Sequence, residues 1–269
     1  MNELDNLKCI GTKNIEILGD CLEIMPMIHD ECIDMILCDL PYGTTQNKWD
    51  SIIPLDKLWK EYERIIKPNG AIILTSAEPF TSALVMSNPK LFRYDIIWEK
   101  QKGSDPLNAN RKPLRSHENI LVFYKKQPTY NPQFEQGKPY IRKGDCRVKS
   151  SNFNEAKTIN DRGSEDGKRY PKTVVKFSGE GMNSNNLHPT QKPVALFEYL
   201  IKTFTNEGDM VLDNTAGVFT TAIACMNTKR KYTVIEKDKD YFNKGMKRIA
   251  EHFFTNSFEK TEERGQKIK

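Results

Sequence analysis

Asp39-Leu40-Pro41-Tyr42-Gly43 brings a carboxylate, a carbonyl beside a proline, an aromatic ring and a glycine turn together within five residues. The stretch follows an apolar run over 33–38, so it reads as the loop at the carboxyl end of a strand, where open α/β sheets form their ligand crevice. That set suits a flat base carrying an exocyclic amine. Asp39 can accept one N–H, a backbone carbonyl next to Pro41 can accept the other, and Tyr42 offers a stacking face. The same residues also suit a plain strand-to-turn punctuation. A second strand, acid and glycine turn follows at Val211-Leu212-Asp213-Asn214-Thr215-Ala216-Gly217, a nucleotide-type loop leading into a helix. Nineteen residues after Gly217 comes Glu236, at the end of the next apolar run. An acid there can chelate a ribose diol, or it can be a surface acid beside Lys237. The third group is His188-Pro189-Thr190-Gln191-Lys192-Pro193, which leads into a helix whose first turn suits Pro193. His188 is either a base or, in the commoner role, a structural donor, since no partnered nucleophile is visible.

These loops need a sheet to hold them. Short, β-branched runs bounded by Gly, Pro, Asp or Asn predict strands over 14–18, 33–39, 71–76, 94–98, 119–124, 210–213 and 231–236. Helical periodicity fills the gaps. Leu55, Leu58, Trp59, Tyr62, Ile65 and Ile66 share one face and stop at Pro68-Asn69-Gly70; further helices are predicted over 194–204 and 240–253. The alternation predicts an α/β fold: a Rossmann-like seven-stranded sheet with helices on both faces. Residues 126–187 break the rhythm and carry 12 basic and 7 acidic residues. A structureless loop of that length does not suit a compact domain, so the segment reads as an inserted binding region. The organisation expected is a core over 1–125 and 188–258, the insertion over 126–187, and a charged tail over 259–269.

The 269 residues suffice for one large domain with an insertion. Hydrophobic residues make up 38% and charged residues 29%, which excludes disordered and fibrous classes. No apolar run approaches a membrane span, and the first residues lack the apolar core of a secretory signal. Six cysteines without a CxxC pair, and only four histidines, argue against a zinc site and a disulfide framework; free thiols in a reducing cytoplasm are expected. The net charge of +5 equals the excess in the insertion alone, so the core is near neutral and the insertion basic.

Taken in order, these motifs resemble the amino-group DNA methyltransferases that use S-adenosylmethionine, in the permuted arrangement called the beta class. DLPYG matches the catalytic tetrapeptide, usually D-P-P-Y. It is followed by Ser116-His117-Glu118-Asn119, the variable target-recognition region, HPTQKP and the cofactor loop. Gly19-Asp20-Cys21 matches the segment lining the cofactor adenine, and IEKDKDYF the ribose-binding strand end. The resemblance covers roughly 14–252. It implies S-adenosylmethionine as cofactor, no metal, duplex DNA as partner, a possible homodimer, and a setting in DNA methylation and restriction-modification. It also implies roles. Asp20, Cys21 and Glu236 hold adenosine. Asp213, Asn214 and Gly217 surround the methionine part, and Thr190 and Lys192 close the same pocket. Asp39 and the carbonyl of Leu40, beside Pro41, hold the target amine, and Tyr42 stacks on a base flipped out of the duplex. Arg111, Lys112 and Arg115, with Arg142, Lys143 and Arg147 in the insertion, are the expected phosphate contacts.

The resemblance favours the N6 amine of adenine, because an acid at position 39 goes with adenine and serine there with cytosine N4. Cytosine N4, RNA or a protein amide are the alternative acceptors, and a non-catalytic DNA-binding relic is the alternative class. Two departures stand out. Leu40 replaces the first proline, where the carbonyl is the functional group. The loop reads Gly217-Val218-Phe219 where the family usually has Gly-Ser-Gly. Phe219 either packs into the helix–sheet core or fills part of the pocket; the first is expected.

Overall fold

The computed structural model describes residues 13–43, 50–140, 164–178 and 191–266, the side chains as far as 255. They form two compact units, Met1–Asn131 with Thr173–Lys269, and Pro132–Lys172. In chain order the elements are β1 (Ile15–Leu18), α1 (Cys21–Ile24), β2 (Ile33–Asp39), α2 (Leu55–Ile65), β3 (Ile66–Ser76), α3 (Phe80–Ser87), β4 (Phe92–Ser104), β5 (Arg115–Phe123), β6 (Glu135–Gln136), β7 (Lys168–Arg169), β8 (Val174–Phe177), α4 (Val194–Phe204), β9 (Met210–Asp213), α5 (Thr220–Asn227), β10 (Lys231–Glu236) and α6 (Lys239–Gln266).

Eight strands make one sheet, in the order β1-β10-β9-β2-β3-β5-β4-β8. All neighbours are parallel except β5, which runs antiparallel to both β3 and β4. The sheet is covered on both faces, so its central strands are apolar on both sides rather than alternating. From β2, Ile36 and Cys38 enter one layer with Leu58, Trp59 and Tyr62 of α2 and Phe80 and Leu84 of α3. Met35 and Leu37 enter the other, with Leu196, Phe197, Leu200 and Ile201 of α4, Ala222 and Ile223 of α5, and Ile249 of α6. The buried residues of α2 fall at the three-to-four spacing that its sequence shows.

The seven expected strands all lie in this sheet, and β8 adds an eighth. Its four residues, Val174–Phe177, alternate in exposure and sit in a segment without periodicity; they pair with β4, and the Trp98 indole donates to the Phe177 carbonyl at 3.0 Å. The expected helix stop at Pro68-Asn69-Gly70 is instead inside β3. The helix ends at Ile65, and Ile66 already pairs with Ile33 across an irregular register. Gly70 permits this, since a Cβ there would lie 2.9 Å from the Asp34 carbonyl. β4 and β5 run beyond their predicted ends to form a projecting hairpin, with Ser104 opposite Arg115. α6 continues past 253 into the charged tail. In the smaller unit, β6 pairs antiparallel with β7, Phe134 packs on Tyr170 at 4.9 Å, and the Arg169 guanidinium lies 4.5 Å from the centre of the Tyr140 ring. No described helix is long and apolar enough to cross a membrane.

The chain leaves β2 towards β3 on one side and β9 towards β10 on the other. The boundary between β2 and β9 is therefore the point where strand order reverses, and the crevice outside the carboxyl ends there is where such sheets bind ligands.

Candidate functional site

Both loops singled out in the sequence emerge at that boundary. At the end of β2, Asp39 is opposite Thr75 of β3. Its Oδ1 accepts from the Tyr42 hydroxyl at 2.9 Å and from the Thr75 hydroxyl, and its Oδ2 accepts from Lys192 Nζ at 2.7 Å. Leu40 is buried and Pro41 half-buried, which holds the turn down. The Tyr42 ring stacks on Phe80 with centroids 5.4 Å apart, and Lys192 Nζ lies 5.5 Å from its centre. Burial first, and then the Asp39 charge, push the Tyr42 phenol well above its ordinary pKa, so it stays a neutral donor.

Lys192 is buried just ahead of α4. Its ammonium also lies 3.3 Å from Glu118 Oε2. Glu118, on β5, accepts through Oε1 from Lys100 Nζ at 3.1 Å, and Lys100 in turn donates to the Ser104 hydroxyl at 3.0 Å. Acids and bases therefore alternate in one chain: Asp39, Lys192, Glu118, Lys100. Burial opposes the charge on Lys192, but Asp39 and Glu118 outweigh it and hold the ammonium pKa well above normal. Burial likewise opposes ionisation of Glu118, and Lys192 and Lys100 outweigh it, so its carboxyl lies below the usual range.

The loop after β9 is tied to the first by the Thr215 hydroxyl, which donates to the Asp39 carbonyl at 3.1 Å. Asp213 faces its own loop: Oδ1 accepts from the Thr215 N–H at 3.1 Å and Oδ2 from the Thr221 hydroxyl. Burial raises its pKa to about 7. Asn214 Oδ1 accepts from the Cys38 thiol at 2.9 Å and from the Tyr62 hydroxyl, while its buried Nδ2 has no hydrogen-bond partner. The Cys21 thiol lies beside this amide, and burial raises its pKa. Gly217 has φ +54°, and a Cβ placed on it would meet nothing within 4 Å, so the turn faces open space. Its N–H donates to Glu236 Oε2 at 2.7 Å, and Glu236 Oε1 accepts from the Asp238 N–H at 2.7 Å. Each of these oxygens keeps a lone pair for a ligand hydroxyl. Burial raises the Glu236 pKa. Asp20 caps α1 by accepting from the Leu22 N–H, and Lys237 Nζ lies 2.8 Å from its other oxygen and lowers its pKa.

Phe219 has φ 65° and ψ 37°, caps α5, and is fully buried. Its ring meets Phe242 edge-on at 5.4 Å and covers Gly245 of α6, where a Cβ would come within 2.5 Å of it. The ring thus lies in the helix–sheet core and leaves the space over Gly217 open.

On the projecting hairpin, Lys112 pairs with Asp105 at 2.6 Å, Arg115 donates to the Glu78 carbonyl at 3.0 Å, and Arg111 is exposed. His188, Thr190, Arg142, Lys143 and Arg147 lie outside the described residues. The sequence places Glu118 in the Ser116-His117-Glu118-Asn119 motif but assigns no site role to it, nor to Lys100, Thr75, Tyr62 or Cys38. Glu118 carried a signal, being an acid at the head of the apolar run 119–124. Thr75 and Cys38 are found only from strand register, and Tyr62 was assigned to the core alone.

Residues 33–247 match a family model described as DNA methylase. DNA adenine methyltransferase YhdJ of Escherichia coli (strain K12) is 28% identical over 273 residues, spanning 92% of this chain and 87% of that protein. Type II methyltransferase M.HpaI of Haemophilus parainfluenzae is 26% identical over 260 residues, with 92% and 77% covered. Among solved structures, the M1.HpyAVI–SAM complex superposes with a TM-score of 0.60 at 24% identity, over 87% of this chain and 98% of that one. PvuII DNA methyltransferase (cytosine-N4-specific) gives 0.64 at 16% identity, over 87% and 86%. At these identities the structures establish the fold.

Proposed function

The chain belongs to the N6/N4 DNA methylase family, and from that premise we propose that it methylates the N6 amine of adenine in duplex DNA, with S-adenosylmethionine as donor. The observation that carries the reading is the Asp39 carboxylate at the strand-order reversal, braced by Tyr42, Thr75 and Lys192 with a lone pair left on Oδ2. The likeness to a DNA adenine methyltransferase over 92% of the chain supports adenine.

The residues present fit the donor. Gly217 faces open space, Glu236 keeps acceptor capacity, and Asn214 Nδ2 is a buried donor without a partner. Asp20, Glu236, Gly217 and Asn214 would hold it. When bound, S-adenosylmethionine would supply an electrophilic methyl group: nitrogen would gain the carbon, sulfur would keep the electron pair of the broken carbon–sulfur bond, and the amine's surplus proton would pass to solvent water. The rest falls to the protein. An adenine amine is a poor nucleophile because its lone pair is delocalised into the ring. Asp39 and the Leu40 carbonyl draw its two hydrogens out of the ring plane and localise that pair. Tyr42 and Thr75 fix the carboxylate, so little rearrangement remains at the moment of reaction. A base extruded from the duplex stacks on Tyr42. Arg111 and Arg115 on the hairpin, with Arg142, Lys143 and Arg147, contact phosphates. Duplex DNA is the partner, with the recognition region inserted in the core within 126–187, a stretch whose Val174–Phe177 joins the core sheet; a pair of chains is the expected assembly on family resemblance alone.

Incubation with tritiated S-adenosylmethionine and unmodified DNA, followed by nucleoside chromatography, tests this reading. Label in N6-methyladenine is expected. Label in N4-methylcytosine refutes the adenine assignment, and failure of the protein to bind S-adenosylhomocysteine refutes the donor.

A further inference from the structure

The ion chain is asymmetric. Lys192 is hydrogen-bonded to Asp39 Oδ2 at 2.7 Å but stands 3.3 Å from Glu118 Oε2. Glu118 Oε1 is held by Lys100, whereas the buried Oε2 has no hydrogen-bond partner. A buried carboxylate oxygen that is ion-paired at 3.3 Å but has no aligned hydrogen bond gains from a closer approach of its cation.

The proposed reaction, on which this inference rests, supplies the occasion for that approach. The target amine needs Asp39 as acceptor while its nitrogen gains positive charge. Oδ1 already accepts from Tyr42 and Thr75, so the amine must use Oδ2, where the ammonium sits. A cation there both occupies a lone pair and repels the growing charge. We propose that Glu118 is a second seat for Lys192: as the amine engages Asp39, the ammonium moves from Asp39 Oδ2 to Glu118 Oε2. Glu118 is thus a positioning residue that acts through Lys192. The movement is short, and the ammonium stays between two carboxylates throughout, so no charge is left buried and unpaired. Lys100, tied to Ser104, keeps Glu118 from following the ammonium back to Asp39.

A double-mutant cycle read in single turnovers tests the proposal. Wild type, Glu118→Gln, Lys192→Met and the double variant are saturated with tritiated S-adenosylmethionine and mixed with amplified, unmodified bacterial genomic DNA. Glutamine keeps the shape of Glu118 but loses the charge that attracts the ammonium. Glu118→Gln is expected to slow transfer about tenfold in the wild-type background, equivalent to ~1.4 kcal/mol of barrier. With methionine at 192 the same change is expected to cost less than about twofold. Calorimetry with S-adenosylhomocysteine should give unchanged affinity for Glu118→Gln. A purely structural role slows both backgrounds equally, and that result overturns the proposal, as does a wild-type rate for Glu118→Gln. If Lys192→Met does not fold, Lys192→Gln carries the same comparison. A wild type that binds S-adenosylhomocysteine but modifies no DNA refutes the underlying reading, which keeps the two failures distinguishable.

Discussion

Replacing Phe219 by glycine separates packing from backbone strain, and the structure fixes the sign of each. The side chain is fully buried against Phe242 and Gly245. Removing its transfer free energy costs ~1.5–3 kcal/mol, and the cavity left behind brings a large-to-small change of this kind to about 3–5 kcal/mol. Against that, φ is 65°, a region that costs a non-glycine residue roughly 1–3 kcal/mol and glycine almost nothing. The net loss for Phe219→Gly is therefore about 0–4 kcal/mol. Phe219→Ala makes nearly the same cavity without relieving the backbone, so alanine should be less stable than glycine by about 1 kcal/mol or more, the reverse of the ordinary order in helices. At roughly 2–4 °C per kcal/mol for a chain of this size, thermal unfolding should rank wild type, then glycine, then alanine. Calorimetry with S-adenosylhomocysteine should show equal affinity for all three. A tenfold gain in affinity for Phe219→Gly would place the ring in the ligand space, and equal melting of the two variants would show that the backbone at 219 stores no strain.

Asp39→Ala should lower methyl transfer by roughly 10²–10³ or more, with S-adenosylhomocysteine binding retained; turnover above half of wild type on duplex DNA would remove Asp39 from the mechanism. Arg111→Ala with Arg115→Ala should weaken DNA binding across all sequences and flatten its salt dependence by about one per lost phosphate contact; an unchanged slope would take the hairpin off the DNA backbone. Burial raises the Asp213 pKa from its ordinary 3.8 to about 7. The folded chain therefore keeps a proton that the unfolded chain releases between those values. Stability from this group falls as pH rises across that window and is flat above it. Asp213→Asn should lose this slope, as urea titrations from pH 4 to 8 would show.

The seven strands were readable because each is a short β-branched run closed by a turn residue, and the three long helices because their apolar residues recur at three to four. The order of the two acid-bearing loops and of Glu236 at the end of the next strand was readable for the same reason. The rest depends on partners remote in sequence. β8 is four residues with only two exposed valine and lysine positions to mark alternation, and it becomes a strand because β4 offers an edge. Lys192 looked like part of a helix-leading turn; its pairing with Asp39, 153 residues away, needs the sheet to exist first. Phe219 looked like an intrusion in a glycine loop, and only Gly245 on the following helix shows where its ring can go.

The placement of β9 between β2 and β10 has a consequence for how the chain is made. Cys38 and Asn214, which meet at the centre of the site, are 176 residues apart. At about 5–20 residues per second of synthesis, β2 waits on the order of 10–30 s before the strand that closes its free edge leaves the ribosome. β1 waits longer, since its sheet partner is β10. For that interval β2 and β3, apolar on both faces and joined only to the strands on one side, present an open ladder of N–H and C=O groups, the feature that folded proteins keep covered. That half of the sheet is thus completed last: β9 adds to the free edge of β2, and β10 then joins β9 to β1. A nascent chain stalled before residue 210 holds Asp39 but lacks β9 and β10 with Asn214, Gly217 and Glu236. Its yield in a cell should depend on whatever shields that edge until translation ends.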